Sequence, residues 1–186
     1  LRAVTLADVF DVRAFGFALG LAWASVVFFS TVIHFSTRND VSHFNSVVGF
    51  SSIGTLVVLF FGAFASGAFV RVMRCTLARW AVPLLMTVAT IVLSVVDHDV
   101  IRQPWCTIAS TGAGMGLGVL YLAWGEEFSS LGAVQSIVKT AASFLLAAVL
   151  FALVVALPRP VAIVLCVLLP LVVGLVLFGV MGVWRT

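Results

Sequence analysis

The sequence predicts an all-α, polytopic membrane bundle, and three observations predict it. Of 186 residues, 63% are hydrophobic and only 9% are charged, whereas a soluble globule carries about a quarter charged residues. The mean hydropathy is +1.26. The apolar residues also gather into six runs of about 17 to 24 residues, the length that carries a helix across about 30 Å of hydrocarbon at 1.5 Å per residue. Disorder, a disulfide-stapled secreted domain, a zinc module and a nucleic-acid-binding domain all need compositions that are absent.

The elements follow in chain order. Span one is Ala14 to Ile33, preceded by polar residues and followed by Ser36, Thr37, Arg38, Asn39 and Asp40. Its length, and Asp8 and Asp11 before it, argue against a cleaved signal peptide, whose apolar core is about 7 to 15 residues behind a basic start. Span two runs from Val47 to Val70 and stops at Arg71, with Arg74 and Arg79 in the connection. Span three is Trp80 to Val96, closed by Asp97, His98 and Asp99, with Pro83 expected in its first turn. Span four is Trp105 to Trp124, opened by Pro104 where a missing amide hydrogen costs nothing, and ended by Gly125, Glu126 and Glu127. Span five is Ile137 to Leu157, and Pro158, Arg159 and Pro160 force the turn into span six, Val161 to Trp184. Pro170 should kink that last helix, because it removes the bond to the Cys166 carbonyl.

Orientation follows the placement of Lys and Arg. With the N-terminus inside, Arg2, Arg13, Arg71, Arg74, Arg79, Lys139 and Arg185 fall on the cytoplasmic side, against Arg38, Arg102 and Arg159 outside. The positive-inside rule then sets both termini in the cytoplasm. The net charge of +3 and pI near 9.2 are thus topological and give no support to nucleic-acid binding. Trp80, Trp105, Trp124 and Trp184 all fall at span ends and read as interface anchors. The start at Leu1 and the stop two residues past the last span suggest a piece of a longer protein.

Small residues mark two spans. Gly16, Gly20 and Ala24 recur at intervals of four in span one; in span four, after Thr111, Gly112 pairs with Gly116 and Gly114 with Gly118. Such faces let another backbone approach closely, either as plain helix packing or as the thin wall of a cavity. Span four is no phosphate cradle, since position 117 is Leu and neither a preceding strand nor a following Lys-Ser/Thr accompanies it. No Asp, Glu or Arg lies inside a span, and Lys139 is near enough to an end to snorkel. Ion-coupled transporters keep an ionisable group near midplane, so this absence argues against ion coupling. Thr87, Thr90, Ser94, Thr107, Ser110, Thr140 and Ser143 are expected to bond to their own helices.

His34, His43 and His98 sit in outer loops without a metal-ligand spacing, and three cysteines give no CxxC. A Cys106–Cys166 bridge is possible on position alone. No nucleophile, base and orienter assemble, so neither an enzyme nor a cofactor site is expected. Glu126 and Glu127 run against the positive-inside trend and read either as a solvated turn or as an inner-face latch docking Arg71, Arg74 and Arg79.

Six spans with both ends inside resemble one half of a major-facilitator-type bundle. That family carries a Gly-x-x-x-Asp-Arg-x-Gly-Arg-Arg pattern between spans two and three. Here Gly67, Arg71 and Arg74 remain, while the Asp and the second Gly are gone. The stretch Thr111 to Leu157, with its glycine-rich span four, the Trp124-Gly125-Glu126 turn and the Ser143-containing span five, resembles the membrane domain of bacterial LuxR-type regulators. That resemblance implies a sensory domain in the bacterial inner membrane; the glycine ladder and the absence of coupling charges suggest that a small neutral or apolar ligand binds among the Gly-lined helices and shifts a two-state bundle. It also implies a further membrane half of the same chain and DNA contact only through a helix-turn-helix beyond Thr186. The alternative is the N-terminal half of a major-facilitator-type transporter for a neutral solute, and a plainer one is a helix-packing scaffold.

Overall fold

A computed structural model describes residues 11–30, 32–33, 41–73, 75–95 and 102–183. Among them the chain forms α1 (Val12–Phe29), α2 (Val41–Phe64), α3 (Ser66–Met73), α4 (Thr76–Val95), α5 (Arg102–Ser129), α6 (Ala133–Ala156) and α7 (Arg159–Val183). Five of these, α1, α2, α5, α6 and α7, are long and apolar enough to cross a membrane, and α4 contributes the shorter apolar stretch Trp80–Val95. The protein is an all-α, multi-pass membrane bundle.

Several boundaries move from their expected places for local reasons. α1 stops at Phe29 rather than Ile33: Ser30 turns extended, and its backbone N–H and hydroxyl both donate to the Val26 carbonyl, at 3.3 and 2.6 Å. Span two breaks at Ala65, and the short α3 carries Arg71 separately. α4 begins at Thr76, so Pro83 lies inside the helix rather than in its first turn. α5 runs through Gly125, Glu126 and Glu127, which were expected to end it. Glu is a good helix former, and one Gly does not stop a helix. The end comes at two serines instead, where the Ser129 and Ser130 hydroxyls donate to the Glu126 and Glu127 carbonyls at 2.8 and 2.6 Å. At the other end of the chain, Asp11 caps α1 by accepting from the Arg13 and Ala14 amides at 3.1 and 3.0 Å.

The helices pack as a continuous series: α2 on α5, α5 on α4, α4 on α7, α7 on α1 and α1 on α6. Exchanging α1 with α5, α2 with α6 and α4 with α7 reverses this series and leaves every neighbour pair intact. The bundle therefore has an internal two-fold in its packing, relating α1, α2 and α4 to α5, α6 and α7. Cross-contacts give two relative directions: Gly62 near the end of α2 meets Leu122 late in α5, so these two run parallel, and Gly16 near the start of α1 meets Val176 late in α7, so these two run antiparallel.

α5 holds the first of these pairs together through its glycines, and its two ladders face different neighbours. A Cβ on Gly114 would be driven into the Ser51 carbonyl of α2, and one on Gly118 would sit 2.9 Å from Val58 Cβ. Gly112 and Gly116 turn the other way, toward Leu85 and Met86 of α4. From the α2 side Gly54 answers, with its missing Cβ directed at the Thr111 carbonyl. Because lipid is as apolar as a leucine, helices in a bilayer are held by such close van der Waals approach rather than by hydrophobic burial.

This geometry separates three substitutions. Gly114→Ala should destabilise the bundle by about 1–3 kcal/mol through overpacking against backbone. Gly112→Ala, whose Cβ would meet Leu85 at 3.4 Å, should cost little. Gly125→Ala, with nothing within 4 Å, should stabilise by up to about 1 kcal/mol from helix propensity. Unfolding in detergent measures all three.

Candidate functional site

A cleft of about 470 Å³ opens between α1 and α2. α1 lines it with Leu21, Ala24, Ser25, Phe28 and Phe29, and α2 with Val48, Ser51, Ser52, Thr55 and Leu56. Both sets step by three, one, three and one residues, which is a single helix face. Leu117 and Tyr121 of α5 and Phe144 of α6 complete the lining. Its walls come from two helices that meet each other at only a few points, so the space exists because α2 leans on α5 while α1 leans on α6 and α7.

The polar groups of the cleft are hydroxyls, and they fall into two kinds. Ser25 donates to the Leu21 carbonyl at 2.8 Å and Ser51 to the Val48 carbonyl at 2.9 Å. Thr55 shares its proton between the Ser51 and Gly114 carbonyls, both at 2.9 Å. These three present only lone pairs to a ligand. Ser52 and Tyr121 donate to no described residue, so each has a proton to offer. The lining contains no carboxylate, ammonium, guanidinium or imidazole. The arrangement suits recognition of a neutral molecule by shape and a few hydrogen bonds.

The glycines singled out by sequence do not line this cleft. Gly112, Gly114, Gly116 and Gly118 are helix-packing positions, as described above. Gly16 seats the Trp124 ring and Val176, at 2.5–2.8 Å from an added Cβ, and Gly20 faces Leu120 and Val173 at 3.8 Å. Trp124 is correspondingly not an interface anchor: it is 1% exposed, packs among Phe17 and Phe128, and its buried indole N–H finds no acceptor among the described residues. Trp80 and Trp105 do keep exposed places near helix starts, and Trp184 lies outside the described residues.

Asp11, Arg13, Glu127 and Lys139 gather at one end of the bundle, whereas Arg159 begins α7 at the other. Lys139 pairs with Asp11, and Arg13 Nε lies 4.0 Å from Glu127 Oε2. The start of α1 is thereby tied to the start of α6 and the end of α5. Next to this, Ser143 of α6 donates to the Ala14 carbonyl at 2.9 Å. Of the latch candidates Glu126, Glu127, Arg71, Arg74 and Arg79, Glu127 lies beside Arg13. Glu126 and Arg71 are exposed; Arg74 and the Arg79 side chain lie outside the described residues.

The hydroxyls expected to serve only their own helices divide. Ser94 and Ser110 do so, donating to Ile91 and Cys106 at 2.8 and 2.6 Å. Others cross between helices: Thr87 donates to the Val167 carbonyl at 3.3 Å, and Thr90 accepts the Trp23 indole proton at 3.1 Å while donating to Met86. Cys106 and Cys166 are free thiols, both buried. His34 and His98, and the side chain of His43, fall outside the described residues. Sequence reading missed Ser51, Ser52, Thr55 and Tyr121. The available signal was the short small-and-hydroxyl run Ser51-Ser52-Ile53-Gly54-Thr55 and the single tyrosine of the chain, inside an apolar span.

No family model, curated protein or solved structure matches the chain.

Two substitutions separate the cap from the ion pair at Asp11. Asp11→Asn keeps a good N-cap and loses only the pairing with Lys139, so it should cost under about 1 kcal/mol. Asp11→Ala loses both and should cost about 1 kcal/mol more. Thermal unfolding in detergent at low and high salt reads the difference, and only the ion-pair part should fade with salt.

Proposed function

We propose that this chain is the membrane-embedded input domain of a LuxR-type regulator, built on the six-span half of a major-facilitator-like fold and responding to a small neutral ligand in the α1–α2 cleft. The observation that carries the reading is the cleft's chemistry: hydroxyls and aromatic rings, with no charged side chain. A coupling proton or cation needs an ionisable partner at membrane depth, whereas a ligand that only has to be recognised does not. The internal two-fold of the packing supports the three-plus-three arrangement, with α4 as the sixth crossing. The collection of Arg13, Arg71 and Lys139 at one end supports placing that end, with both termini, on the cytoplasmic side of a bacterial inner membrane.

In this reading α1 is the moving part. It forms one wall of the cleft, and its first residues hold Lys139 and Glu127. A ligand that fits the cleft better in one arrangement of α1 shifts the population toward it, and the ion pairs at the inner end register the change. A DNA-binding helix-turn-helix beyond Thr186 would receive it. The packing two-fold equally favours the N-terminal half of a neutral-solute transporter as a second reading.

Sequence downstream of Thr186 discriminates the two: further spans followed by a helix-turn-helix support the sensor, and twelve spans without a soluble domain support the transporter. Ser52→Trp, which fills the cleft from an exposed position, should weaken the ligand response of a reporter about tenfold or more, equivalent to about 1.4 kcal/mol. Membrane insertion should be unchanged. An unaltered response removes the cleft from the mechanism.

A further inference from the structure

A neutral ligand of the α1–α2 cleft must reach it either from water or from the bilayer. Resting on the neutral-ligand reading, we infer that the cleft takes a neutral amphiphile dissolved in the bilayer, admitted sideways between α1 and α2. Its mouth is rimmed by Phe29 and Leu56, each 64% exposed, and by Phe144, 58% exposed. Phe144 lies at the middle of α6 and Leu56 near the middle of α2, while Phe29 ends α1, so the mouth runs from the middle of the bundle toward one end, and its deeper part lies at hydrocarbon depth. An entrance facing water would carry a polar rim; an apolar rim at this depth costs nothing only against lipid.

The interior sets the ligand's chemistry. A volume of about 470 Å³ lies in the range of about 300 to 1,000 Å³ that houses one molecule of modest size. The free protons of Ser52 and Tyr121 call for an oxygen acceptor, a carbonyl or hydroxyl oxygen. Ser25, Ser51 and Thr55 have committed their protons to helix carbonyls and can only accept, so a hydroxyl on the ligand is answered as well. A carboxylate would bring an unpaired charge to a place without a cation, at a cost of several kcal/mol. The ligand is therefore a long-chain alcohol, ketone or ester rather than a fatty acid.

The test uses the whole chain in lipid nanodiscs and a long-chain alcohol carrying a mid-chain diazirine, with the corresponding carboxylic acid as control. On illumination the alcohol should label the cleft faces of α1 and α2 about tenfold over the lipid-facing Phe60–Phe64 segment. Excess unlabelled alcohol should compete. Tyr121→Phe, which keeps the ring, should reduce labelling about threefold or more, and Ser52→Trp should abolish it. Labelling spread evenly over Phe60, Phe61 and Phe64 overturns the inference, as does equal labelling by the acid. A second arm places Ser52→Cys in a Cys75→Ser background and treats it with a charged, water-soluble thiol reagent. Resistance supports a lipid mouth. Fast modification makes the mouth aqueous and overturns the inference while leaving the neutral-ligand reading intact. If neither alcohol nor reagent reaches the cleft, both fall.

Discussion

The contact on which the rest of this bundle depends is the backbone approach of α5 to α2. In water the apolar faces of the helices would find each other by excluding solvent; in lipid that drive is absent, and adhesion comes from surfaces that fit closely. Gly114 and Gly118 on one side and Gly54 on the other bring main chain against main chain, and Thr55 uses the proximity to donate to the Gly114 carbonyl across the interface. The same helix turns Gly112 and Gly116 toward α4. With α2 drawn onto α5 in this way, it cannot also close on α1, and the cleft is the space that remains.

α1 is held by different means. It is the most buried of the spanning helices, and polar contacts locate it along its length: the Ser143 hydroxyl at Ala14, the Trp23 indole on Thr90, and the pairs at Asp11 and Arg13. In one place packing overrides polar satisfaction. The buried Trp124 indole N–H finds no acceptor among the described residues, a deficit of about 1–3 kcal/mol. Its ring fills the notch left by Gly16 and packs on Phe17 and Phe128 at centroid distances of 6.3 and 6.1 Å. Gly16 is thus small because Trp124 is large, a pairing of residues more than a hundred positions apart.

That distance explains what could be read in the sequence. Hydropathy gave the membrane class and the approximate places of the apolar helices, because crossing a bilayer demands a run of fixed length whatever its neighbours. The small-residue ladders announced close packing. Which neighbour each ladder faced was hidden, since Gly112 and Gly114 differ by two positions yet meet different helices. Trp124 was misread for the same reason: a tryptophan at a span end is usually an interface residue, and only the opposite Gly16 shows that it is core. Helix ends were also obscure where a competing hydroxyl decided them, as Ser30, Ser129 and Ser130 do. The cleft residues escaped because a serine or threonine in an apolar span bonds to its own helix by default, and the exception at Tyr121 is visible only once its surroundings are known.

The division between a neutral interior and a charged end has a mechanical consequence. A charged group in the cleft would anchor α1 at its middle, because separating a buried pair is costly. With only hydroxyls and ring faces there, α1 can change its seating at the cleft by exchanging contacts of similar strength. The ion pairs lie instead at the first turn of α1, where partial solvent makes them weaker and reversible. The cleft face of α1 can thus exchange contacts, while Trp23 on Thr90 fixes the helix away from the cleft and the ion pairs hold its first turn. That combination couples the seating of α1 at the cleft to the ion pairs at its first turn through one continuous helix.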